Sequence, residues 1–218
     1  MNTKIITLAL SLTAMWGGSV VRAVDAPSAP AGACCAVAAQ PAPAACCAEI
    51  ASVAPLTERS LYQFDAAWTD DAGVRVQLGS LRGKPVVLAM FFASCTYACP
   101  MLVTDMQRIR EALPEPMRQE TRFVLVTFDT ERDTPTALKA FRERSALDAD
   151  WILLRGNADS VQELAMLLGV KFKQDAAGQF AHSNVVTVLN TEGEIAHQRN
   201  GLAGDVSETA QAVILAAR

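Results

Sequence analysis

Histidine is scarce in this chain. Two in 218 residues are too few for an all-histidine metal site, so a metal site must draw on cysteine or carboxylate. Positive charge is not in excess: 19 Lys and Arg against 23 Asp and Glu leave a net charge of −4. The basic face of a nucleic-acid binder is therefore not expected. Six cysteines are too few for a disulfide-framework fold in a chain this long. None stands alone, however: they occur as Cys34-Cys35, Cys46-Cys47 and Cys95 with Cys99. Proline is missing after Pro135. The length allows one domain with an extra segment.

The first 23 residues carry the marks of an export signal. Lys4 supplies the early positive charge, residues 5–16 are apolar apart from Thr7, Ser11 and Thr13, and Val21-Arg22-Ala23 fits a small-x-small cleavage site. The alternative is an uncleaved anchor, although Gly17-Gly18 break the run short of the ~20 residues a span needs. Either way the body is exported, to a compartment that permits disulfides. Contact with a membrane is expected only if this segment is retained.

Residues 24–57 change composition. Alanine and proline dominate, and large apolar side chains are too few to build a buried face, so the segment reads as a flexible, disordered tether. Within it, Ala33-Cys34-Cys35-Ala36 is echoed by Ala45-Cys46-Cys47-Ala48. Four such thiols can clamp a soft metal such as Cu(I). They can equally form disulfides or undergo reversible oxidation.

From residue 58 to 218 the pattern is globular. Residues 61–64 and 74–78 read as short strands joined across Asp70-Asp71-Ala72-Gly73. Residues 85–93 form a continuous apolar run, as in a strand buried on both faces. Leu102, Met106, Ile109 and Leu113 have helical spacing over 101–113, and Pro114 and Pro116 end that helix. A second buried strand covers 122–128. A helix over 135–145 has Thr134 as its cap and Pro135 at its first position. A strand at 151–154, a helix at 160–168 closed by Gly169, a hairpin of 185–190 with 194–198, and a helix over 206–217 complete the chain. The expected fold class is α/β: a thioredoxin-like order with an added N-terminal β-hairpin, preceded by the tether.

Cys95-Thr96-Tyr97-Ala98-Cys99-Pro100 follows the first buried run, and ligands in open α/β sheets bind past the carboxyl ends of strands. Pro100 suits a first helical position, which predicts Cys99 at or near the N-cap and a thiol pKa lowered by the helix dipole. Such a pair supports disulfide exchange or soft-metal ligation; a structural disulfide is the bland alternative. His182 precedes a buried strand that should lie beside the Cys95 loop. Two thiolates and one imidazole make a three-coordinate site suited to copper. His197 reads as a surface residue. Asp129, Asp133 and Thr134 follow the second buried strand; the last two read as caps, and Asp129 as a group that orients a ligand from behind. Thioredoxin-type oxidoreductases need a cis-proline before the strand that faces the cysteines. His182-Ser183 stands there instead, which favours metal binding.

Cys95-x-x-x-Cys99-Pro100, the run from Asp129 to Pro135, and His182-Ser183 followed by residues 185–193 together resemble the Sco/SenC family. The resemblance spans about residues 61–218. It implies a thioredoxin-like copper protein, Cu(I) or Cu(II), with Cys95, Cys99 and His182 as ligands and Asp129 in support. The implied role is a periplasmic metallochaperone, free or anchored in the inner membrane, for the dinuclear copper site of cytochrome c oxidase. Its partners would be a copper-accepting oxidase subunit and another copper chaperone as donor. The alternatives are a thiol-disulfide oxidoreductase, using Cys95 and Cys99 as a catalytic redox pair on the partner's cysteines, and a copper buffer for stress resistance that uses Cys34, Cys35, Cys46 and Cys47. The chain differs from the family at Ala181, where members usually carry an acidic residue, and in the paired-cysteine tether.

Overall fold

The computed structural model of the protein describes residues 55–176 and 178–218. The expected export signal, the tether and its four cysteines lie outside the described residues. Among the described residues no helix is long and apolar enough to cross a membrane.

A seven-stranded sheet runs in the order β2 (Arg75–Val76), β1 (Trp68–Asp70), β5 (Trp151–Arg155), β4 (Arg122–Thr127), β3 (Val86–Phe91), β8 (Val185–Leu189) and β9 (Ile195–Asn200). Its centre is built from β3 (Val86–Phe91) and β4 (Arg122–Thr127), paired in parallel. Every residue of β3 is buried, as is all of β4 beyond Arg122. Continuous apolar runs are what a strand covered on both faces requires. On one side β4 pairs in parallel with β5 (Trp151–Arg155). On the other, β3 pairs antiparallel with β8 (Val185–Leu189), which forms a hairpin with β9 (Ile195–Asn200). Helix α1 (Ala98–Ala112) packs beside α5 (Ser207–Ala216), and α3 (Pro135–Arg144) packs on β5 and β1. Helix α4 (Ala158–Leu167) is capped by Asn157. The α/β, thioredoxin-like class expected from the sequence is the one observed.

The added hairpin is present, but its strands are displaced. Strand β1 (Trp68–Asp70) pairs with β2 (Arg75–Val76) across the expected turn, where Asp70 Oδ1 accepts from the N–H groups of Ala72 and Val74. β1 then joins β5 antiparallel and extends the sheet. The expected strand at 61–64 is instead a 3-10 turn, Leu61–Gln63, capped by Ser60. It docks on the β8–β9 turn, where the Leu61 N–H donates to Gly193 O at 2.9 Å. Gly193 has φ +82°, and a Cβ there would meet the Tyr62 ring at 2.5 Å; no other residue fits both conditions. Pro114 and Pro116 do end α1, but they also open a short helix, α2 (Glu115–Glu120), that the sequence reading missed. Proline is tolerated in a first helical turn, where its missing N–H would have had no partner.

A second missed element bears on function. Strands β6 (Phe172–Gln174) and β7 (Phe180–His182) form a separate two-stranded sheet. His182 is thus the last residue of a strand rather than part of a plain loop.

Candidate metal centre

The site forms past the carboxyl end of β3, where the chain leaves the sheet through Phe92, Ala93 and Ser94. Both polar groups of Ala93 are held by side chains. Its N–H donates to Asp133 Oδ2 at 2.8 Å, and its carbonyl accepts from Arg144 Nη2. The Cys95 N–H donates to Phe92 O at 3.2 Å, which turns the loop towards α1. Tyr97 is the N-cap residue of α1 and provides no side-chain cap. The free N–H of Cys99 donates to Cys95 Sγ at 3.2 Å instead. One candidate ligand therefore caps the helix that carries the other.

Both cysteines are free thiols, Cys95 half-buried and Cys99 fully buried. Two expectations are corrected here. Pro100 is the third helical residue rather than the first, and Cys99 lies near the N-cap, as expected, two residues beyond it. Its thiol pKa is not lowered. Burial pushes it well above the usual thiol range; a hydrogen bond from the Phe92 backbone opposes that rise, and Cys95 and Asp133 add to it. In a fully buried position, desolvation of the charged form outweighs the helix dipole. Without a metal, Cys99 is a protonated thiol at neutral pH.

His182 faces this pair from β7. Its Nε2 lies 3.9 Å from Cys99 Sγ, and its Nδ1 is 3.2 Å from the carbonyl oxygen of Ser183. With the proton on Nδ1 donated to that carbonyl, the Nε2 lone pair is directed at the thiols. The ring packs against Phe128 (centroids 5.0 Å apart) and edge-on to Phe92 (5.8 Å). Burial lowers the imidazole pKa, opposed by the hydrogen bond to Ser183, so the ring is neutral at pH 7. Ala181, where an acidic residue was expected by resemblance, is exposed opposite Lys173. The main chain orients this imidazole. The ligand atoms of Cys95, Cys99 and His182 all lie within 4.8 Å of one another. Two sulfurs and one neutral nitrogen form a soft donor set that suits copper better than magnesium or calcium.

The supporting residues differ from expectation. Asp129 is buried, but its carboxylate is bonded to the N–H and Nε of Arg132 rather than to a ligand side chain. Thr134 caps α3 as expected, accepting from the Ala137 N–H. Asp133 does not cap; it is buried, accepts from Thr127 Oγ1 and the Ala93 N–H, and fixes the start of the cysteine loop. Burial raises its carboxyl pKa, against the pull of those two hydrogen bonds. Nothing local in the sequence separates this use from capping. His197 is half-buried rather than at the surface, 3.3 Å from Thr209 Oγ1 on α5.

Fold and site together define a thioredoxin-like domain with a thiol–imidazole centre at its strand ends. The chain belongs to the SCO1/SenC family, which matches residues 56–215. A relative from Stutzerimonas stutzeri, described as copper-binding, is 29% identical over 142 residues, covering 63% of this chain and 68% of its own. A crystal structure from Aquifex aeolicus VF5, described as an electron transfer protein, superposes with a TM-score of 0.66 at 26% identity, over 72% of this chain and 93% of that one. Arabidopsis thaliana ScoI, solved with copper bound, has the same fold, with a TM-score of 0.61 at 20% identity over 69% of this chain and 93% of its own.

Proposed function

We propose that this protein is an exported, periplasmic copper chaperone. It binds one copper through Cys95, Cys99 and His182 and passes it to a thiolate-bearing acceptor, the dinuclear copper site of cytochrome c oxidase. The observation that carries this reading is the convergence of two thiols and one oriented imidazole nitrogen within 4.8 Å. The copper-binding description of the Stutzerimonas stutzeri relative supports it. Three protein ligands leave a coordination position open. A thiolate of the acceptor enters there, and the half-buried Cys95 is the ligand best placed to exchange first. Cys99, enclosed by the fold, releases last. Asp129 supports the site through Arg132. Cys34, Cys35, Cys46 and Cys47 add soft-metal capacity on the tether.

The test uses the full chain with Cys34, Cys35, Cys46 and Cys47 replaced by serine. It should bind one Cu(I) and lose it to the acceptor domain on mixing, and His182→Ala should weaken retention. Failure to bind Cu(I) would sink the carrier reading.

The asymmetry of the pair, one thiol reachable and its partner enclosed, also favours a second reading. In that reading Cys95 and Cys99 are oxidised to a disulfide while a disulfide between the acceptor's copper-ligand cysteines is reduced to two thiols. Reduction that survives His182→Ala but fails in Cys99→Ser would support the reductase.

Copper binding should depend steeply on pH. Cys99 is protonated in the metal-free protein, so ligation displaces its proton. His182 is already neutral above its lowered pKa and releases none. The affinity for Cu(I) should therefore fall at least about tenfold per pH unit as pH drops, which is the share of the Cys99 proton. Competition titrations between pH 6 and 8 would measure the slope, and a flat profile would contradict the ligand role of Cys99.

A further inference from the structure

The hairpin that carries His182 has no ladder to the main sheet, and a two-stranded sheet is marginal by itself. Something must hold it in register with the cysteines. Its inner face is apolar, with Phe180 5.0 Å from Phe128 and 5.3 Å from Phe92. Its turn end is held by a polar strap. Arg132, on the loop between β4 and α3, donates through its N–H and Nε to the buried carboxylate of Asp129, and through Nη2 to the carbonyl of Gly178. The same guanidinium lies 5.8 Å from the centre of the Phe180 ring. Phe180 and His182 share one face of β7, two residues apart. The next residue along the loop, Asp133, reaches the other way and holds Ala93 at the start of the cysteine loop.

Resting on the copper-site reading above, we propose that Arg132 is a positioning residue for His182. Its guanidinium, anchored on Asp129, fixes the β6–β7 turn and so sets the distance from the imidazole to the thiols. Consecutive residues of one loop, Arg132 and Asp133, would thus hold the two halves of the metal centre. A planar fork suits this task, because its donors reach two acceptors in different directions at fixed spacing.

The experiment is a double-mutant cycle in the full chain with the four tether cysteines replaced by serine. Arg132→Gln should weaken Cu(I) binding about 10- to 100-fold, the range for partners that orient metal ligands. The same substitution should add little when made on top of His182→Ala. With Cu(II), the nitrogen hyperfine coupling from the imidazole should weaken or split into two populations. In the metal-free protein, the amide protons of Gln179 and Ser183 should exchange faster. Asp129→Asn, which keeps the guanidinium but removes its anchoring charge, should give the same pattern at smaller amplitude and serves if Arg132→Gln does not fold. An unchanged affinity in Arg132→Gln would overturn the proposal, as would an equal loss in the His182→Ala background. If His182→Ala leaves Cu(I) binding intact, the copper-site reading fails instead. Amide exchange in the metal-free hairpin then decides the strap alone, and unchanged rates overturn it.

Discussion

Cys99→Ser should remove Cu(I) binding from the folded domain, with an affinity loss of ~1,000-fold or more. Loss of an outer partner of a metal ligand already costs about 10- to 100-fold. Here a soft donor is replaced by a hard hydroxyl that does not ionise near neutral pH. Cys99 is also central to the geometry, 3.9 Å from His182 Nε2 and tied through its N–H to Cys95 Sγ. The substitution keeps that N–H bond and nearly the same volume, so the fold should survive. Placing a hydroxyl in a fully buried position costs about 1–2 kcal/mol, which leaves most of a typical domain's 5–15 kcal/mol intact. Anaerobic competition titration with a Cu(I) chelator, in the background without tether cysteines, would read the affinity. Circular dichroism would check the fold. Unchanged stoichiometry and affinity would show that Cys99 is not a ligand.

Legibility in the sequence followed burial. Strands β3 and β4 could be read because both faces are covered, so apolar residues run without a break. Helix α1 could be read because Leu102, Met106 and Ile109 repeat on its buried face. The site residues Cys95, Cys99 and His182 were legible from their positions at strand ends, and the antiparallel pairing of β3 with β8 brings them together. Hairpin β6–β7 was not, because three-residue strands with exposed Lys173, Gln174 and Ala181 carry too little pattern. Its signals were Phe172, the turn around Gly178, and Phe180. The turn at Leu61–Gln63 looked like a strand because Leu61, Tyr62 and Phe64 are apolar, whereas Ser60 and Gly193 decide its shape through long-range contacts. The raised thiol pKa of Cys99 was hidden for the same reason. A helix start is local information, but the depth of burial is not.

Phe128→Ala should couple a large stability loss to a defect in the metal centre. Phe128 is 3% exposed at the carboxyl end of β4. Its ring stacks on Phe172 at 5.1 Å, meets Phe180 at 5.0 Å and Phe92 at 5.4 Å, and contacts the His182 ring. Truncation of a buried phenylalanine costs about 3–5 kcal/mol. Here the cavity would open under the β6–β7 hairpin, so the imidazole loses the surface it rests on. Phe123 provides the comparison. It is fully buried at the other end of the same strand, against Trp151 at 5.1 Å, and away from the thiols. Phe123→Ala should cost similar stability in urea unfolding of the metal-free protein, yet leave Cu(I) affinity unchanged under conditions where the variant is folded. Phe128→Ala should lower both, with the copper affinity falling about 10- to 100-fold as for other losses of ligand support. Equal copper defects in the two variants would mean that global stability governs the site. No defect in either would mean that the aromatic wall plays no part in holding His182.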